Sequence, residues 1–386
     1  MHLPQKNTTI HSPSESALMA AHNPSYIFVL DQGSRQSPPL IPNHSKTTSL
    51  IIDHHHAPLE TDFPALSSHV TACSSPPIAT SALLTYHICS PLHPSVPSLT
   101  SWLAVVGTHG DLGTTTKWLP PFPDMTETFS RHKKSTLNAI VSILNAPRRS
   151  PQYDVLSAWT ALISPSAPAS ILSNPRLLAA KQEVASEVSR CSHAAPSFSA
   201  DGRVAVLRIK SAAQIHPLIA TRWAGFLKGA RLEFVLVANE GYSEGRVNFS
   251  CRVAKCARIR EGEVGGEGVD IIERLKGYAS LAPNADGGVG GEENGEEVKR
   301  ELATTSLLER VGEDFARGHV QASGGIVGKE EFEELMGLMR VGVKAGGAKK
   351  DGDGEKGGDP SSKKKKGGVI DSGQKNTLTS YFGKAA

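Results

Sequence analysis

The chain has 386 residues, which is enough for two domains that each bury a core, and its formal net charge at pH 7 is only +3. This small charge excludes a strong overall attraction to nucleic acid, so any such affinity must come from local basic groups. Five cysteines without a Cys-x-x-Cys pair exclude a disulfide framework and a zinc knuckle, and no apolar run approaches the roughly 18 residues of a membrane span. We therefore expect an intracellular protein that does not cross a membrane.

Two apolar runs near the N-terminus predict strands that end at acidic residues. Tyr26–Leu30 is a continuous apolar run, typical of a strand buried on both faces, and Asp31 follows it. The run Leu50-Ile51-Ile52 ends at Asp53-His54-His55. Carboxylate and imidazole ligands suit Mn²⁺, Zn²⁺ or Fe²⁺ better than Ca²⁺, and a metal held there would activate water against a phosphate. A bare Asp-His-His triplet is also common in polar turns, so it does not establish a metal site alone.

A third segment repeats this arrangement. Residues 103–106 predict a strand that enters Gly107-Thr108-His109-Gly110-Asp111, where glycines would let the backbone turn around Asp111. Open α/β sheets bind their ligands at the carboxyl ends of the strands. Three acidic positions of this kind favour a functional site over turn-capping aspartates.

Composition and periodicity divide the rest of the chain. We predict a helix over residues 125–144 and a first domain over 1–165, followed by a linker over 166–200 that contains a helix over 176–192. The second domain would cover 201–342, with a disordered acidic, glycine-rich insert near 284–297. Residues 343–386 form a disordered lysine- and glycine-rich tail in this interpretation.

The second domain alternates predicted strands and helices, which indicates a second α/β layer. Strands are predicted at Val204–Ile209, 233–238 and 247–253, and helices at 215–227, 306–315 and 329–339. Between the last two helices we expect a loop over residues 318–325, whose backbone N–H groups would hold phosphate oxygens. The residues of this loop that we assign to nucleic-acid binding are Gly318, His319, Gln321, Gly324 and Gly325.

Arg252, in the strand predicted over 247–253, is a further candidate for phosphate binding. Its guanidinium can hold a phosphate through two hydrogen bonds. The alternatives are a solvated arginine and, for the loop, a purely structural glycine turn.

The tail ends in a possible docking motif. Leu378 lies three residues before Tyr381 and Phe382, a spacing that puts three apolar side chains on one side of a helical turn. This end resembles the PIP box by which replication and repair proteins bind the sliding clamp PCNA, although Lys375 takes the place of the usual glutamine. The lysine run at 363–366 would then serve nuclear import or approach to DNA, which favours a nuclear location.

Taken together, the motifs resemble those of the DHH phosphoesterases, which include the RecJ-like single-strand nucleases. Asp31, Asp53-His54-His55 and Asp111 match the second, third and fourth motifs of that family in order, and residues 318–325 resemble the glycine-histidine signature of its DHH-associated domain. The resemblance covers residues 20–340. It implies an α/β protein of two domains, in which a DHH domain with a parallel sheet precedes a smaller α/β domain that binds nucleic acid.

The resemblance also implies roles for the residues. Asp31, His54 and Asp111 would hold Mn²⁺ or Mg²⁺, His55 would contact the scissile phosphate, and Asp53 would orient the two histidines. The substrate would be single-stranded DNA or RNA. One motif is missing, because family members that hydrolyse phosphoesters carry an earlier Asp-x-Asp-x-Asp run, whereas Glu15 is the only acidic residue before Asp31.

This departure leaves three interpretations open. The chain is an N-terminally incomplete or degenerate family member whose phosphoesterase activity is weak or absent as it stands. Alternatively, it is a non-catalytic nucleic-acid-binding adaptor that docks on the sliding clamp through its tail. A phosphodiesterase of short oligonucleotides or cyclic dinucleotides would share every motif.

Overall fold

The computed structural model describes residues 2–6, 8, 10–34, 36–41, 46–55, 63–73, 77–163, 167–264, 268–281, 305–312 and 315–343. The predicted acidic insert near 284–297 and the tail with Leu378, Tyr381 and Phe382 lie outside these residues and stay predictions. Among the described residues, no helix has both the length and the apolar character that crossing a membrane requires.

A parallel three-stranded sheet in the order β1-β2-β3 forms the base of the first lobe, by which we mean the described residues up to 191. Its strands are β1 (Tyr26–Leu30), β2 (Thr48–Ile52) and β3 (Ser67–Val70). Because Leu30 lies opposite Ile52, both strands end at the same level, and the Asp31 N–H donates to the Ile52 carbonyl at 3.0 Å. The predicted parallel α/β architecture is confirmed.

The prediction that β1 is buried on both faces is wrong. Tyr26, Phe28 and Leu30 are 71%, 66% and 50% exposed, whereas Val29 on the opposite face is buried. β1 lies at one edge of this sheet, and its face that carries Tyr26, Phe28 and Leu30 is not covered by the described residues.

The helices of this lobe enclose a core that includes Leu83, Val105, Leu137 and Ile140. The helices are α1 (Pro13–Ala20), α2 (Ser81–Cys89), α3 (Val96–Leu112), α4 (Thr126–His132), α5 (Lys134–Leu144), α6 (Ala146–Arg149), α7 (Val155–Ile163) and α8 (Pro175–Cys191). The single helix predicted over residues 125–144 is in fact α4 and α5, which meet at Lys133 with a positive φ of 56°. The predicted helix over 176–192 is confirmed as α8.

The strand and glycine loop predicted around Asp111 are wrong, because residues 103–111 belong to helix α3. The glycines serve helix packing instead. A Cβ at Gly107 would collide with the Cβ of Ala82, so α3 approaches α2 more closely than any side chain at Gly107 would allow. Asp111 follows Gly107 by four residues and therefore lies on the same face of the helix, toward α2.

The second lobe, residues 197–343, is built on a six-stranded sheet in the order β4-β5-β6-β7-β9-β8. Its strands are β4 (Ser197–Phe198), β5 (Val204–Ile209), β6 (Phe234–Ser243), β7 (Arg246–Val253), β8 (Arg317–His319) and β9 (Ala322–Gly328). The helices are α9 (His216–Phe226), α10 (Lys255–Val264), α11 (Ile271–Ala279), α12 (Leu307–Arg310) and α13 (Lys329–Leu338). Of the strand pairs in this described sheet, only β5 and β6 are parallel; the other neighbouring strands run antiparallel.

Most predicted elements of this lobe are confirmed, but two are corrected. The segment over residues 318–325 lies between helices α12 and α13 as predicted, but it is a β-hairpin of β8 and β9 and not a loop. The helix predicted over 306–315 extends only over α12, Leu307–Arg310. Glycine permits the close pairing of β9 with β7, since a Cβ at Gly324 would lie 2.6 Å from the Phe249 carbonyl oxygen of β7.

Helix α8 packs into both lobes. Leu177, in its first turn, belongs to the core of the first lobe, whereas Val184 and Cys191 belong to the core of the second. The helix therefore joins two hydrophobic cores along its length, and its amphipathic surface is divided between them.

We expect Gly107→Ala to lower the free energy of unfolding by about 1–3 kcal/mol, because the added methyl group forces α3 away from α2. Gly110→Ala in the same helix is the matched control. Its Cβ would approach the Asn145 and Val141 side chains only to 3.8 Å, so the higher helix propensity of alanine should leave the protein equally or more stable. Urea unfolding checks both variants, and equal stability for the two would contradict the close packing at Gly107.

Candidate active site

His54 lies at the centre of the site. Its side chain is 1% exposed, and each ring nitrogen faces a carboxylate: Nδ1 is 3.1 Å from Asp31 Oδ1 and Nε2 is 2.9 Å from Asp111 Oδ2. Asp111 and Asp31 together raise the pKa of His54 to about 10, although burial opposes this. The Nε2 atom nevertheless makes no hydrogen bond of good geometry. His54 Nε2 is therefore buried beside a carboxylate without a hydrogen bond to it, which is the environment expected of a nitrogen that binds a metal.

The second histidine of the triplet is held by Asp53. His55 Nδ1 is 2.7 Å from Asp53 Oδ1, and the Ser34 N–H donates to Asp53 Oδ2 at 3.0 Å. Burial alone would raise the pKa of Asp53, but the hydrogen bonds from His55 and Ser34 hold it well below its usual range. Asp53 therefore stays ionised and fixes the His55 ring, whose pKa it raises.

Two short contacts position helices α2 and α3 around His54. The Ser81 hydroxyl, in the first turn of α2, donates to Asp31 Oδ1 at 2.9 Å and lies 3.1 Å from His54 Nδ1. Thr80, the N-cap of α2, is hydrogen-bonded to Thr108 of α3 at 3.0 Å. These contacts and the close approach of the two helices bring Asp111 to His54.

Sequence reasoning missed two residues of the site, Ser34 and Ser81. The first donates its backbone N–H to Asp53, and the second bonds to Asp31 through its hydroxyl. An isolated serine carries no pattern that would single it out, so only the fold reveals these contacts.

The β8-β9 hairpin brings the second lobe to the same site. The His319 ring centroid lies 6.1 Å from that of His54 and 5.9 Å from that of His55. Ligand atoms of these three histidines lie within 4.8 Å of one another. The hairpin tip is anchored by its backbone, because the Gln321 carbonyl accepts from the Val253 N–H and the Val320 carbonyl accepts from the Ile271 N–H.

The remaining candidates lie in and beside the hairpin. Gly318 adopts a φ of 111°, and a Cβ there would lie 2.7 Å from the Ala322 carbonyl oxygen. Gly324 and Gly325 pair with β7. Gln321 is exposed at the turn. Thus His319 joins the histidines of the first lobe, whereas the glycines serve the close packing of the strands.

Arg252, near the end of β7, is half-buried. Its Nη1 donates to the Ser250 hydroxyl at 3.0 Å and to the Cys251 carbonyl at 2.8 Å. His216, at the start of α9, is 5% exposed, and its Nδ1 has no partner among the described residues. Burial and the nearby Arg252 guanidinium lower the pKa of His216 to about 3.

His109, which the sequence placed beside Asp111, lies apart from the site. Its Nδ1 is 2.8 Å from the Asn138 side-chain oxygen, and its Nε2 accepts from the Trp118 indole N–H at 3.0 Å. Both ring nitrogens are thus engaged in the core of the first lobe.

Comparison with known structures identifies the fold. A DHH domain from a member of a family of ribosomal proteins superposes with a TM-score of 0.54 at 10% identity, over 86% of this chain and 74% of that one. RecJ from Thermus thermophilus in complex with Mn²⁺ gives 0.49 at 14% identity, over 85% of this chain and 46% of that one. The present chain thus spans less than half of that RecJ. No protein-family model matches the sequence, and no curated protein is significantly similar to it.

The chain therefore has the fold of the DHH-domain proteins, a parallel α/β lobe followed by a second, mixed-sheet lobe. This is the fold that the motifs predicted. The roles of the individual site residues stay predictions.

Lowering the pH from 7 to 5 should destabilise the native protein more than the His216→Gln variant, by about 2 kcal/mol. The unfolded chain protonates this histidine below its ordinary pKa of about 6.5, whereas the folded chain does not until near pH 3. The stability that neutral His216 confers is therefore present above about pH 6.5 and is lost as the pH falls. Urea unfolding at the two pH values measures the effect.

The matched control for this prediction is His22→Gln, which removes an exposed histidine. It should respond to pH as the native protein does. An equal pH response in the native protein and both variants would refute the prediction.

Proposed function

We propose that this protein is a metal-dependent phosphoesterase of the RecJ-like type, which acts on single-stranded nucleic acid or short oligonucleotides. The observation that carries the proposal is the convergence of Asp31 and Asp111 on the two nitrogens of the buried His54. These side chains come from the ends of β1 and β2 and from α3, three elements far apart in sequence. A structural role alone does not require two carboxylates around one imidazole.

The donor set fits a divalent cation. The ligand atoms of Asp31, Asp53, His54 and His55 lie within 4.8 Å of one another, and two carboxylates with two imidazoles suit Mn²⁺, and Mg²⁺ less well, because Mg²⁺ prefers oxygen ligands. The buried Nε2 of His54, which makes no hydrogen bond of good geometry, supports this fit. When bound, such an ion supplies Lewis acidity toward a phosphoryl oxygen and activates water.

The other residues would bind and orient the substrate. His55 is held through Nδ1 by Asp53, which leaves Nε2 as the nitrogen that can donate to a phosphate oxygen. His319 faces the same space from the second lobe, and Arg252 lies next to the hairpin that carries it. A strand bound between the lobes would therefore meet imidazole and guanidinium groups that can neutralise its phosphates.

The alternative to the phosphoesterase is a non-catalytic adaptor that binds nucleic acid. Asp31 and Asp111 face opposite nitrogens of His54, so one ion cannot be held by both carboxylates and this imidazole together, and a dinuclear site needs further carboxylates; both points favour weak activity. Docking on the sliding clamp through Leu378, Tyr381 and Phe382, and a nuclear location, belong to this alternative and depend on residues outside the described ranges.

Asp111→Asn should reduce Mn²⁺-dependent hydrolysis of a fluorescently labelled single-stranded oligonucleotide by about 100-fold or more, because the amide keeps the shape of the side chain but removes a charged ligand. The matched control is Glu127→Gln, which neutralises a carboxylate that is 83% exposed on α4. If the native protein binds the oligonucleotide but does not hydrolyse it with Mn²⁺ or Mg²⁺, the adaptor replaces the enzyme. Hydrolysis that Asp111→Asn leaves unchanged would argue for a contaminating nuclease.

Ser81→Ala should raise the dissociation constant for Mn²⁺ about 10- to 100-fold without unfolding the protein, because it removes the hydroxyl that orients both Asp31 and His54. Titration calorimetry measures the affinity. Ser98→Ala removes an exposed hydroxyl of α3 that donates to the Ser95 carbonyl, and it should bind Mn²⁺ as the native protein does. Equal affinities for the two variants would exclude Ser81 from the site.

A further inference from the structure

His69 is a polar residue of the first lobe that none of the predicted motifs contains. It lies in β3, directly opposite Ile51 of β2 in the parallel register, and it is half-buried. Its Nε2 atom lies 3.0 Å from the Ser34 hydroxyl oxygen, and the Phe63 ring packs against it with the ring centroids 4.6 Å apart. The His69 ring is therefore held between an aromatic side chain and a hydroxyl group.

The Ser34 hydroxyl belongs to the turn of residues 31–34, which leaves β1 and crosses β2 near its end. Gly33 adopts a positive φ of 102° in this turn, and a Cβ there would lie 3.0 Å from the Ile51 side chain, so the turn lies directly on β2. Ser34, beyond that crossing, is 7% exposed and reaches His69 of the third strand. One side chain of β3 thus holds the end of a turn that begins at β1.

Strand β3 holds two points of the site. The Val70 carbonyl, at its end, accepts from the Asp53 N–H at 3.1 Å. His69 contacts Ser34, whose own N–H donates to Asp53 Oδ2 at 3.0 Å. The other oxygen of this carboxylate, Oδ1, lies 2.7 Å from His55 Nδ1. An unbroken series of contacts therefore leads from His69, through two intervening residues, to the His55 ring.

The hydrogen bond to Ser34 is what a histidine adds at this position of β3 and an apolar residue does not. Burial lowers the pKa of His69, although the Asp53 carboxylate acts in the opposite direction, so the ring is neutral near pH 7. A neutral ring leaves one nitrogen as an acceptor, to which the Ser34 hydroxyl can donate. A leucine here would bury apolar surface, but it would leave the hydroxyl of the buried Ser34 without this partner.

We propose that His69 is a positioning residue of the active site. It fixes the turn after β1 through the Ser34 hydroxyl, and it thereby holds Asp53 and the ring of His55 in the orientation that turns His55 Nε2 to the substrate phosphate. The same contact restrains Asp31, a candidate metal ligand at the start of that turn. The proposal rests on the proposed function for the identity of the group that His55 meets, whereas the contacts themselves belong to the protein without a ligand.

The first measurement follows the His55 ring by NMR without metal or substrate. In protein with nitrogen-isotope-labelled histidines, the ring resonances of His55 are those that disappear in His55→Gln. His69→Leu should shift these resonances, because leucine fills a similar volume but offers Ser34 no acceptor. His69→Gln should restore most of the native position, because its side-chain amide offers a polar atom near the place of Nε2.

The second measurement is the affinity for Mn²⁺, followed by titration calorimetry. His69→Leu should raise the dissociation constant about 10-fold, as is typical for the loss of a residue that orients metal-site side chains from behind. His69→Gln should recover most of the affinity. A residue that only stabilises the fold would lower the midpoint of urea unfolding, but it would leave the His55 resonances and the Mn²⁺ affinity of the folded protein unchanged.

His87→Leu is the matched control, since it makes the same replacement at an exposed histidine of α2. The His55 resonances and the Mn²⁺ affinity should match those of the native protein. Unchanged His55 resonances in folded His69→Leu overturn the proposal, as does a shift of equal size in His87→Leu.

Ser34→Ala keeps the test valid if His69→Leu does not fold. It removes the hydroxyl but keeps the N–H that donates to Asp53, and it should shift the His55 resonances as His69→Leu does. Unshifted resonances in Ser34→Ala overturn the proposal. Combining the two changes should add nothing, because both break the same contact. Additive shifts would show that His69 acts by another route and would also overturn it.

The outcome is separable from that of the enzyme proposal. Shifted His55 resonances in His69→Leu, together with no hydrolysis by any form, support the positioning role and reject the enzyme. Hydrolysis that depends on Asp111, in a protein whose His55 resonances do not respond to His69→Leu, does the reverse.

Discussion

The two carboxylates that enclose His54 constrain the rest of the first lobe. Asp31 and Asp111 place negative charges on opposite sides of the buried His54 imidazole, which favours positive charge on the ring. The Asp111 and Asp31 carboxylates raise the pKa of His54, which favours a protonated ring, and a divalent cation would bring positive charge to this cluster in the functional state that we propose. Strand β1, strand β2 and helix α3 must therefore keep their relative positions, and the packing at Gly107 and Ser81 serves this requirement.

The second lobe completes the site by adding positive and neutral donors where the first lobe has carboxylates. Its hairpin presents His319 to the histidine pair, and β7 carries Arg252 beside that hairpin. This division of charge suits the function that we propose, since a metal needs anionic ligands and phosphates need cationic ones.

The sequence predicted correctly the features that a short stretch of the chain determines, and it failed for features that depend on distant residues. Asp31 and Asp53-His54-His55 follow apolar runs whose strands depend on those runs alone, and these strands were predicted correctly. Asp111 was identified, but its helix was not, because Gly107 and Gly110 suggest a turn until the opposing Ala82 is known. The exposed row on β1 depends on which strand lies at the edge, and the approach of His319 to His54 depends on a hairpin of the second lobe. Neither feature can be predicted from the local sequence pattern.

Helix α8 limits how the two lobes could be exchanged by recombination during evolution. Because Leu177 lies in one core and Val184 and Cys191 lie in the other, the two lobes share a structural element and not merely a tether. If the chain were divided on either side of this helix, one lobe would lose part of its hydrophobic core and the other would expose apolar surface. The lobes are thus poorly suited to exchange as independent modules, and recombination that preserves both must carry α8 with the pair.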